Sequence, residues 1–444
     1  MEREIFMNLL KGREYRDIRE ALIAMNAADI AVLLSELEDR DLAIIFRLIP
    51  KDKAADVFSE MNSSMKAYLV EIFTDKERKE LLSNLFLDDT VDLLEDLPAN
   101  LVTHILDSVG PEKREQINLL LSYPDDSAGS VMTTEYVDLR RENTVGDAIR
   151  HIRQTGIHKE TIYTCYVLEK RRLIGIVSAK DLLTLDENAL IGENMKKTEI
   201  ISVNTHTDQE EVVKVFQKYN FLALPVLDMQ GFMVGIVTVD DVMNVMEDEA
   251  TEDIELMGAV TPSHKTYFET SVLEHARHRI VWLLVLMLSA TFTGAIITHY
   301  ENAIAAVPLL VSFIPMLMDT GGNCGSQSST LIIRGLALDE IKLKDIFRVM
   351  FREFGVAIVV GITLAAANGL RIWIMYRDTK IALVVGLSLI ATIILSKLIG
   401  CSLPILAKKI HCDPAIMAAP LITTVVDACS VMIYFKFATS LLAI

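Results

Sequence analysis

The sequence predicts a multidomain protein: an all-α superhelix of helical hairpins, an α+β tandem module, and a polytopic α-helical membrane domain with five spans. Three observations predict it. First, the 444 residues include 43 Lys+Arg against 61 Asp+Glu, a formal charge of −18, yet 51% are hydrophobic. Residues 277–444 hold 14 Lys+Arg and 9 Asp+Glu, leaving 29 and 52 to residues 1–276, so the halves carry +5 and −23. Second, nearly all the long apolar runs lie in the mildly basic half, beginning with Ile280 to Tyr300, which has no formal charge. Third, Gly175-Ile-Val-Ser-Ala-Lys-Asp181 recurs sixty residues on as Gly235-Ile-Val-Thr-Val-Asp-Asp241. An acidic aqueous part fused to a membrane part excludes disorder, nucleic-acid binding by bulk charge and a wholly soluble enzyme.

Residues 1–128 are expected to form the superhelix. Segments opening at Asp29, Asp41, Asp56 and Asp92 place apolar residues three and four apart behind an acidic start, the pattern of short amphipathic helices. Stacked as hairpins, such helices bury most of their leucines. The opening MEREIFMNLLKGREYRD has charges every few residues and no apolar core of signal-peptide length, so the acidic half is expected in the cytoplasm.

Residues 129–246 hold the tandem module, in copies of about 129–190 and 191–246. In each copy a helix following Thr144 or Thr207 precedes an alternating strand, Tyr163 to Leu168 or Ala223 to Leu227. A turn, a second strand and a helix opened by Ser/Thr-x-x-Asp follow, the last a capping signal. These residues resemble a tandem pair of CBS domains. The resemblance implies an adenine nucleotide such as ATP beside Ser178, Asp181, Thr238 and Asp241; helix capping accounts for the same four residues.

Residues 247–278 are expected to form an acidic connecting helix. Between Lys218 and Lys265 there is no Lys or Arg, but there are nine acids: Asp228, Asp240, Asp241, Glu247, Asp248, Glu249, Glu252, Asp253 and Glu255. Solvated helix faces usually mix signs. An unrelieved acidic run beside a membrane domain therefore reads as a low-affinity site for a hard cation, which takes several carboxylates and keeps water on the metal.

The membrane domain, 279–444, has spans at about 280–300, 302–333, 354–375, 381–407 and 414–440. An odd count puts the termini on opposite sides. With the N-terminus cytoplasmic and the C-terminus external, nine basic residues flank the inside: Arg277, Arg279, Arg334, Lys342, Lys344, Arg348, Arg352, Lys408 and Lys409. Only Arg371, Arg377 and Lys380 lie outside, in agreement with the positive-inside rule. The second span is abnormal. Its Pro308, Pro315 and run Asp319-Thr-Gly-Gly-Asn-Cys-Gly-Ser-Gln327 predict a break, with irregular backbone lining a path or turning at the interface.

In the last span, Asp427 is the one carboxylate after Asp413. A charge near the bilayer centre costs roughly 2.5–3.5 kcal/mol on insertion scales, so something must offset it. Thr423 and Thr424 offer hydroxyls one turn earlier, and Pro420, lacking an N–H, frees the carbonyl of Ile416; together these are oxygen ligands only. The structural alternative pairs Asp427 with Lys397 or Lys436, the latter about two and a half turns away. Five cysteines without a Cys-x-x-Cys pair read as reduced packing thiols. His275 and His278 read as interfacial, and no His-Glu-x-x-His, P-loop or nucleophile elbow occurs, so no enzyme activity is expected.

Assembled, these features resemble the MgtE family of magnesium channels and transporters. The most specific parts are Gly321-Gly-Asn-Cys-Gly-Ser-Gln327, similar to the family's Gly-Gly-Asn-x-Gly-x-Gln, and Ala419-Pro-Leu-Ile-Thr-Thr-x-x-Asp427. The resemblance implies a multi-pass homodimer in the inner or plasma membrane that takes up Mg²⁺ through a pore on the twofold axis. Asp427 would hold hydrated Mg²⁺, with Asp319, Gly321, Gly322, Asn323, Pro420, Thr423 and Thr424 lining the pore and the glycines adding carbonyl ligands. It also implies closure by intracellular Mg²⁺ bound among Asp88, Asp89, Asp92, Asp240, Asp241, Glu247, Asp248, Glu252, Asp253 and Glu255, and a helix from about Met246 to His278 that transmits the change. The rival readings are a CBS-regulated anion channel and a nucleotide-sensing membrane enzyme.

Overall fold

The computed structural model describes residues 3–95, 97–263, 267–268, 270–417 and 419–443. The chain divides into two compact units, Met1–Met246 and Glu247–Ile444.

In the first unit, ten short helices come first among the described residues: α1 (Arg3–Gly12), α2 (Tyr15–Ala24), α3 (Ala27–Leu34), α4 (Asp39–Phe46), α5 (Lys51–Ser59), α6 (Ser63–Ile72), α7 (Asp75–Asn84), α8 (Leu87–Glu95), α9 (Ala99–Ser108) and α10 (Pro111–Leu120). Each is too short to be stable alone, so the buried stripe of one must meet that of the next. Ile30 and Leu34 of α3, Leu42 and Ile45 of α4, and Leu81 and Leu82 of α7 all join one core. Helix ends need partners for their last carbonyls. Lys53 donates to the carbonyls of Ile23 and Met25 at the end of α2, and Lys113 to those of Leu82 and Leu85, each at 2.8 Å, at the end of α7. The expected helical array is thus formed, with the same lysine device used twice.

The tandem module follows, each copy a three-stranded sheet. In the first, β1 (Val137–Leu139) pairs parallel with β2 (Thr164–Glu169), which pairs antiparallel with β3 (Arg172–Ser178). In the second, β4 (Val203–Asn204), β5 (Ala223–Leu227) and β6 (Met233–Thr238) repeat the order, down to a register shift at Val167/Leu168 and at Val226/Leu227. The short parallel edge strands β1 and β4 carry no turn signal, and sequence reading passes over them. Helices α11 (Val145–Thr155), α12 (Ala179–Thr184), α13 (Ile191–Asn194) and α14 (Gln209–Tyr219) complete the copies. The copies interlock: Thr133 bridges to Ile236 in the second sheet, and Lys196 to Ile176 in the first. This crossing explains the repeated glycine. A Cβ on Gly175 would meet Met195 Sδ at 2.4 Å, and one on Gly235 would meet the Thr133 carbonyl oxygen at 2.7 Å.

Helix α15 (Val239–Met257) opens on the second Ser/Thr-x-x-Asp motif. The expected single helix from Met246 to His278 is not formed. Helix α15 stops before Gly258, Ala259 takes a left-handed φ of 54°, and Pro262 follows. A new helix, α16 (Val272–His299), then starts at its own capping box, Ser271 with Glu274.

The second unit is helical. After α16 come α17 (Glu301–Ala306), a 3₁₀ turn over Pro308–Phe313, α18 (Ile314–Ala337), α19 (Ile346–Tyr376), α20 (Thr379–Lys409), a 3₁₀ turn over Pro414–Met417, and α21 (Ala419–Leu442). Among the described residues, four stretches are long and apolar enough to cross a membrane: 272–299, 343–376, 379–409 and 414–442. The remaining expected span, the second, falls on α18, which has 24 residues but whose apolar character is interrupted by its polar run. As expected, the chain breaks before it, at Val307 to Phe313, where Pro308 removes a donor.

The backbone of the glycine run is not irregular. Residues 319–327 lie inside continuous helix, and their glycines serve close packing: a Cβ on Gly321 would meet Thr392, Ser430 and Val426 within 2.9 Å, and one on Gly322 would meet Thr423 at 2.9 Å. Gly400 of α20 is tighter still, its Cβ position lying 2.3 Å from the carbonyl oxygen of Gly325. Gly400→Leu is therefore expected to cost at least about 2 kcal/mol through overpacking, read as a lower midpoint of thermal unfolding in detergent.

Candidate metal sites

The first site lies within the first unit. Asp88 stands in the first turn of α8, Glu135 just before β1 and Glu160 between α11 and β2. One carboxylate oxygen from each lies within 4.8 Å of the others. Glu135 Oε2 accepts from the Leu87 N–H at 3.2 Å, closing the start of α8, while the Asp88 carboxylate accepts from the Asp89 N–H at 3.0 Å. Glu160 Oε2 is buried with no hydrogen-bond partner among the described residues. A buried oxygen with an unused lone pair is costly unless a cation or water completes it.

The electrostatics point the same way. Burial, reinforced by the charges of Asp241 and Asp240, pushes Glu160 up to about 8. Burial holds Asp88 well above the usual carboxylate range, again with Asp241 next in effect. Desolvation by surrounding protein and the Asp241 charge lift Asp92 to about 7, although its side chain still reaches water. Burial raises Asp241 itself to about 6 against the hydrogen bond from Thr238, and also raises Asp89 and Glu135. These carboxylates repel one another at a place where a hard divalent ion fits their chemistry.

Of the acids singled out in the sequence, Asp88, Asp89, Asp92, Asp240 and Asp241 thus act on one another or on Glu160, whereas Glu247, Asp248, Glu252, Asp253 and Glu255 stand further along α15 in the second unit. Glu255 accepts from the Ser263 N–H at 3.1 Å. Glu135 and Glu160 are missed by sequence reading, since nothing in their spacing ties them to α8.

At the proposed nucleotide positions, Ser178 Oγ donates to Asp181 Oδ2 at 2.6 Å and accepts from the Asp181 N–H at 3.1 Å, a full capping box. Thr238 Oγ1 donates to Asp241 Oδ2 at 2.5 Å. Helix capping occupies Ser178 and Asp181, and Thr238 and Asp241 bond each other at the start of α15.

The second site lies in the second unit, between α18 and α21. Helix α18 exposes Asp319 and, one turn on, Asn323, whose Nδ2 donates to Asp319 Oδ1 at 3.2 Å. Facing them, Thr423 packs on Gly322, and half-buried Asp427 follows one turn later on α21. Asp319 is the charged neighbour whose field Asp427 feels. Thr423 and Thr424 donate to the Pro420 carbonyl at 3.0 and 2.8 Å, so their oxygens keep acceptor lone pairs for an ion or its water.

Pro420 is the second residue of α21, where no N–H is needed, so it opens the helix and, as a proline, offers the Ile416 carbonyl no donor. One expectation is corrected here. Gly321 and Gly322 are buried, and their carbonyls accept from Ser396 and, at 2.9 Å, from Ser326; they seat helices and leave Asp319 and Asn323 as the exposed groups. Of the two alternative partners for Asp427, Lys397 falls away, because it is ion-paired with Glu353 at 3.4 Å.

Residues 314–437 match the MgtE model, described as a divalent cation transporter; residues 25–126 match the MgtE intracellular N domain, and residues 128–188 and 193–248 match the CBS domain. The magnesium transporter MgtE of Thermus thermophilus is 37% identical over 451 residues, which cover 100% of this chain and 99% of that one. The magnesium transporter MgtE of Bacillus subtilis is 32% identical over 433 residues, 97% of this chain and 95% of its own. Among solved structures, the cytosolic domain of the Mg²⁺ channel MgtE in complex with ATP is 35% identical, covers 55% of this chain and 100% of its own, and superposes with a TM-score of 0.52. The anion-channel and enzyme readings are thereby set aside. Likeness along the whole length, including the segment that carries Asp427, makes the chain a member of the MgtE family of magnesium transporters.

Proposed function

We propose that two copies of the chain form a Mg²⁺ channel whose path runs along the twofold axis between the α18 and α21 helices of both copies. The observation that carries the reading is Asp427, set in an apolar helix and opposed by the exposed Asp319–Asn323 face of α18. Two such carboxylates across an axis offset the charge of one divalent ion. Mg²⁺ dehydrates reluctantly, so oxygen contacts to its water shell suit it better than a tight protein cage. Helix α18, at 24 residues and about 36 Å, is long enough to be the fifth span once its polar face is shielded by the partner. Five spans put the termini on opposite sides, and the basic flanks favour a cytoplasmic N-terminus and an external C-terminus. Uptake follows the membrane potential, about 2.3 kcal/mol per charge per 100 mV.

The gate in this reading is the set of cytoplasmic carboxylates. Mg²⁺ bound at Asp88, Glu135 and Glu160, with Asp89, Asp92, Asp240 and Asp241 around it, relieves their repulsion and favours the closed channel; the acids of α15 are further ligand candidates. The ATP carried by the related cytosolic domain supports nucleotide binding at the CBS pair here, beside Ser178, Asp181, Thr238 and Asp241, where it would tune Mg²⁺ affinity without hydrolysis.

Purified full-length protein in liposomes tests both parts. Mg²⁺ flux down its gradient, falling as Mg²⁺ on the cytoplasmic face rises, is the expected result. Chloride flux without Mg²⁺ flux would overturn the pore, and Mg²⁺ flux indifferent to cytoplasmic Mg²⁺ would overturn the gate.

A further inference from the structure

Behind α18, on the side away from Asp319 and Asn323, sits a buried charged network that none of the above uses. Lys397 of α20 is 5% exposed. Its Nζ donates to Ser328 Oγ of α18 at 3.0 Å and to Glu353 Oε2 of α19 at 3.4 Å. Ser328 Oγ in turn donates to Glu353 Oε2 at 2.6 Å. One hydroxyl thus joins an ammonium on one helix to a carboxylate on another, and it belongs to the helix that carries the ion-facing residues. Immediately before Lys397, Ser396 of α20 donates to the Gly321 carbonyl. Helix α18 is therefore tied to α20 at two points seven residues, or about two turns, apart.

A pair of this kind is poorly explained by stability. Taking an ammonium and a carboxylate out of water costs several kcal/mol each, and a well-packed apolar replacement is often neutral or stabilising. What an ion pair adds over an apolar contact is direction. At about 100° per residue, Ser328 lies about 180° around α18 from Asp319 and about 140° from Asn323. The glycine contacts of α18 with α20 and α21 hold the helices close; the hydrogen bond from Ser328 to charges on two neighbouring helices adds a directional tie that opposes rotation.

We propose that Lys397 and Glu353, acting through Ser328, are positioning residues that hold the rotation of α18 so that Asp319 and Asn323 face Asp427 across the ion path. The proposal rests on the pore reading above. Loosening the clamp turns the front of α18 away from Asp427 and weakens recognition of the ion, without removing any group that touches it.

The test measures Mg²⁺ flux against Mg²⁺ concentration for the full-length protein in liposomes. It compares wild type, Ser328→Ala, the double variant Lys397→Met with Glu353→Leu, and Asp427→Asn. Ser328→Ala keeps the ion pair and removes only its link to α18; the double variant removes the charges without leaving one unpaired. Both are expected to raise the half-saturating Mg²⁺ concentration about fivefold or more, the effect of about one hydrogen bond, with maximal flux per protein within about twofold of wild type. Wild-type half-saturation in both variants, whether or not maximal flux falls, overturns the clamp, since a merely structural role changes the number of working channels and not their affinity. The Asp427→Asn arm separates the two readings. A dead Asp427→Asn beside unaltered clamp variants refutes the clamp alone, and a conducting Asp427→Asn refutes the pore on which it rests.

Discussion

Asp427→Asn is expected to lower Mg²⁺ flux through the reconstituted protein by at least about a hundredfold while leaving its thermal unfolding midpoint unchanged or raised. A unit negative charge about 5 Å from a divalent cation, at an effective dielectric of about 20, is worth roughly 7 kcal/mol. Screening by the retained water shell could halve that figure and still leave more than a hundredfold. Folding responds in the opposite sense. The half-buried carboxylate lies in an apolar helix with another acid, Asp319, acting on it, so neutralising it removes a desolvation cost and a repulsion. Lost flux with kept stability therefore cannot be ascribed to unfolding. Asp427→Glu, which retains the charge on a longer stem, should keep a measurable part of the flux. Conduction of Asp427→Asn within about threefold of wild type would remove the residue from the ion path.

The second large effect is a coupling of Mg²⁺ and protons in the cytoplasmic cluster. Glu160 titrates near 8 in the folded protein against an ordinary value of 4.5, so between those values the folded state binds more protons than the unfolded one. Stability of the metal-free protein must then fall as pH rises through that window. Asp241, lifted to about 6, acts in the same direction over its lower part. On the proposed gate, Mg²⁺ held by the deprotonated carboxylates is expected to reverse the loss. If one proton is released per ion, apparent Mg²⁺ affinity should rise about tenfold between pH 6.5 and 7.5. Thermal unfolding of the full-length protein with and without Mg²⁺ at several pH values reads this directly, as does the Mg²⁺ concentration that half-inhibits flux. Glu160→Gln should flatten the pH dependence and weaken closure about tenfold. A pH-independent Mg²⁺ effect in wild type would show that the cluster is not the sensor.

Legibility in the sequence follows the range of the interactions. The capping box at Ser178 is a four-residue signal, and it begins a helix in the structure. The repeat of Gly175 and Gly235 is visible because both copies meet the same need, a strand crossing too close for a Cβ. Asp427 stands out because a carboxylate in an apolar stretch is conspicuous at any range. Lys397 is equally conspicuous, the one charge between Lys380 and Lys408, and could have been weighed as more than a distant partner for Asp427. Its companion Glu353 hides beside Arg352 at the edge of an apolar run.

The glycine run shows why composition misleads. Glycines and prolines argue for irregular backbone when backbone entropy alone is considered. In α18 the helices of the same chain close around Gly321, Gly322 and Gly325, and the contacts that the missing side chains permit outweigh the entropy lost. The connecting segment is the reverse case. Its acids and leucines carry a helical pattern through, yet Gly258, Pro262 and the Ser271 capping box end one helix and begin another.

Family membership, the division into an acidic and a membrane part, the paired module and the lone carboxylate Asp427 of the last apolar stretch are all written in local patterns of charge, hydropathy and spacing along the chain. The meeting of Asp88 with Glu135 and Glu160, the opposition of Asp319 to Asp427 and the Lys397–Ser328–Glu353 link arise only on folding. The reason is separation: these partners stand from 25 to 108 residues apart, and it is packed helices and strands, not short-range spacing, that bring them together.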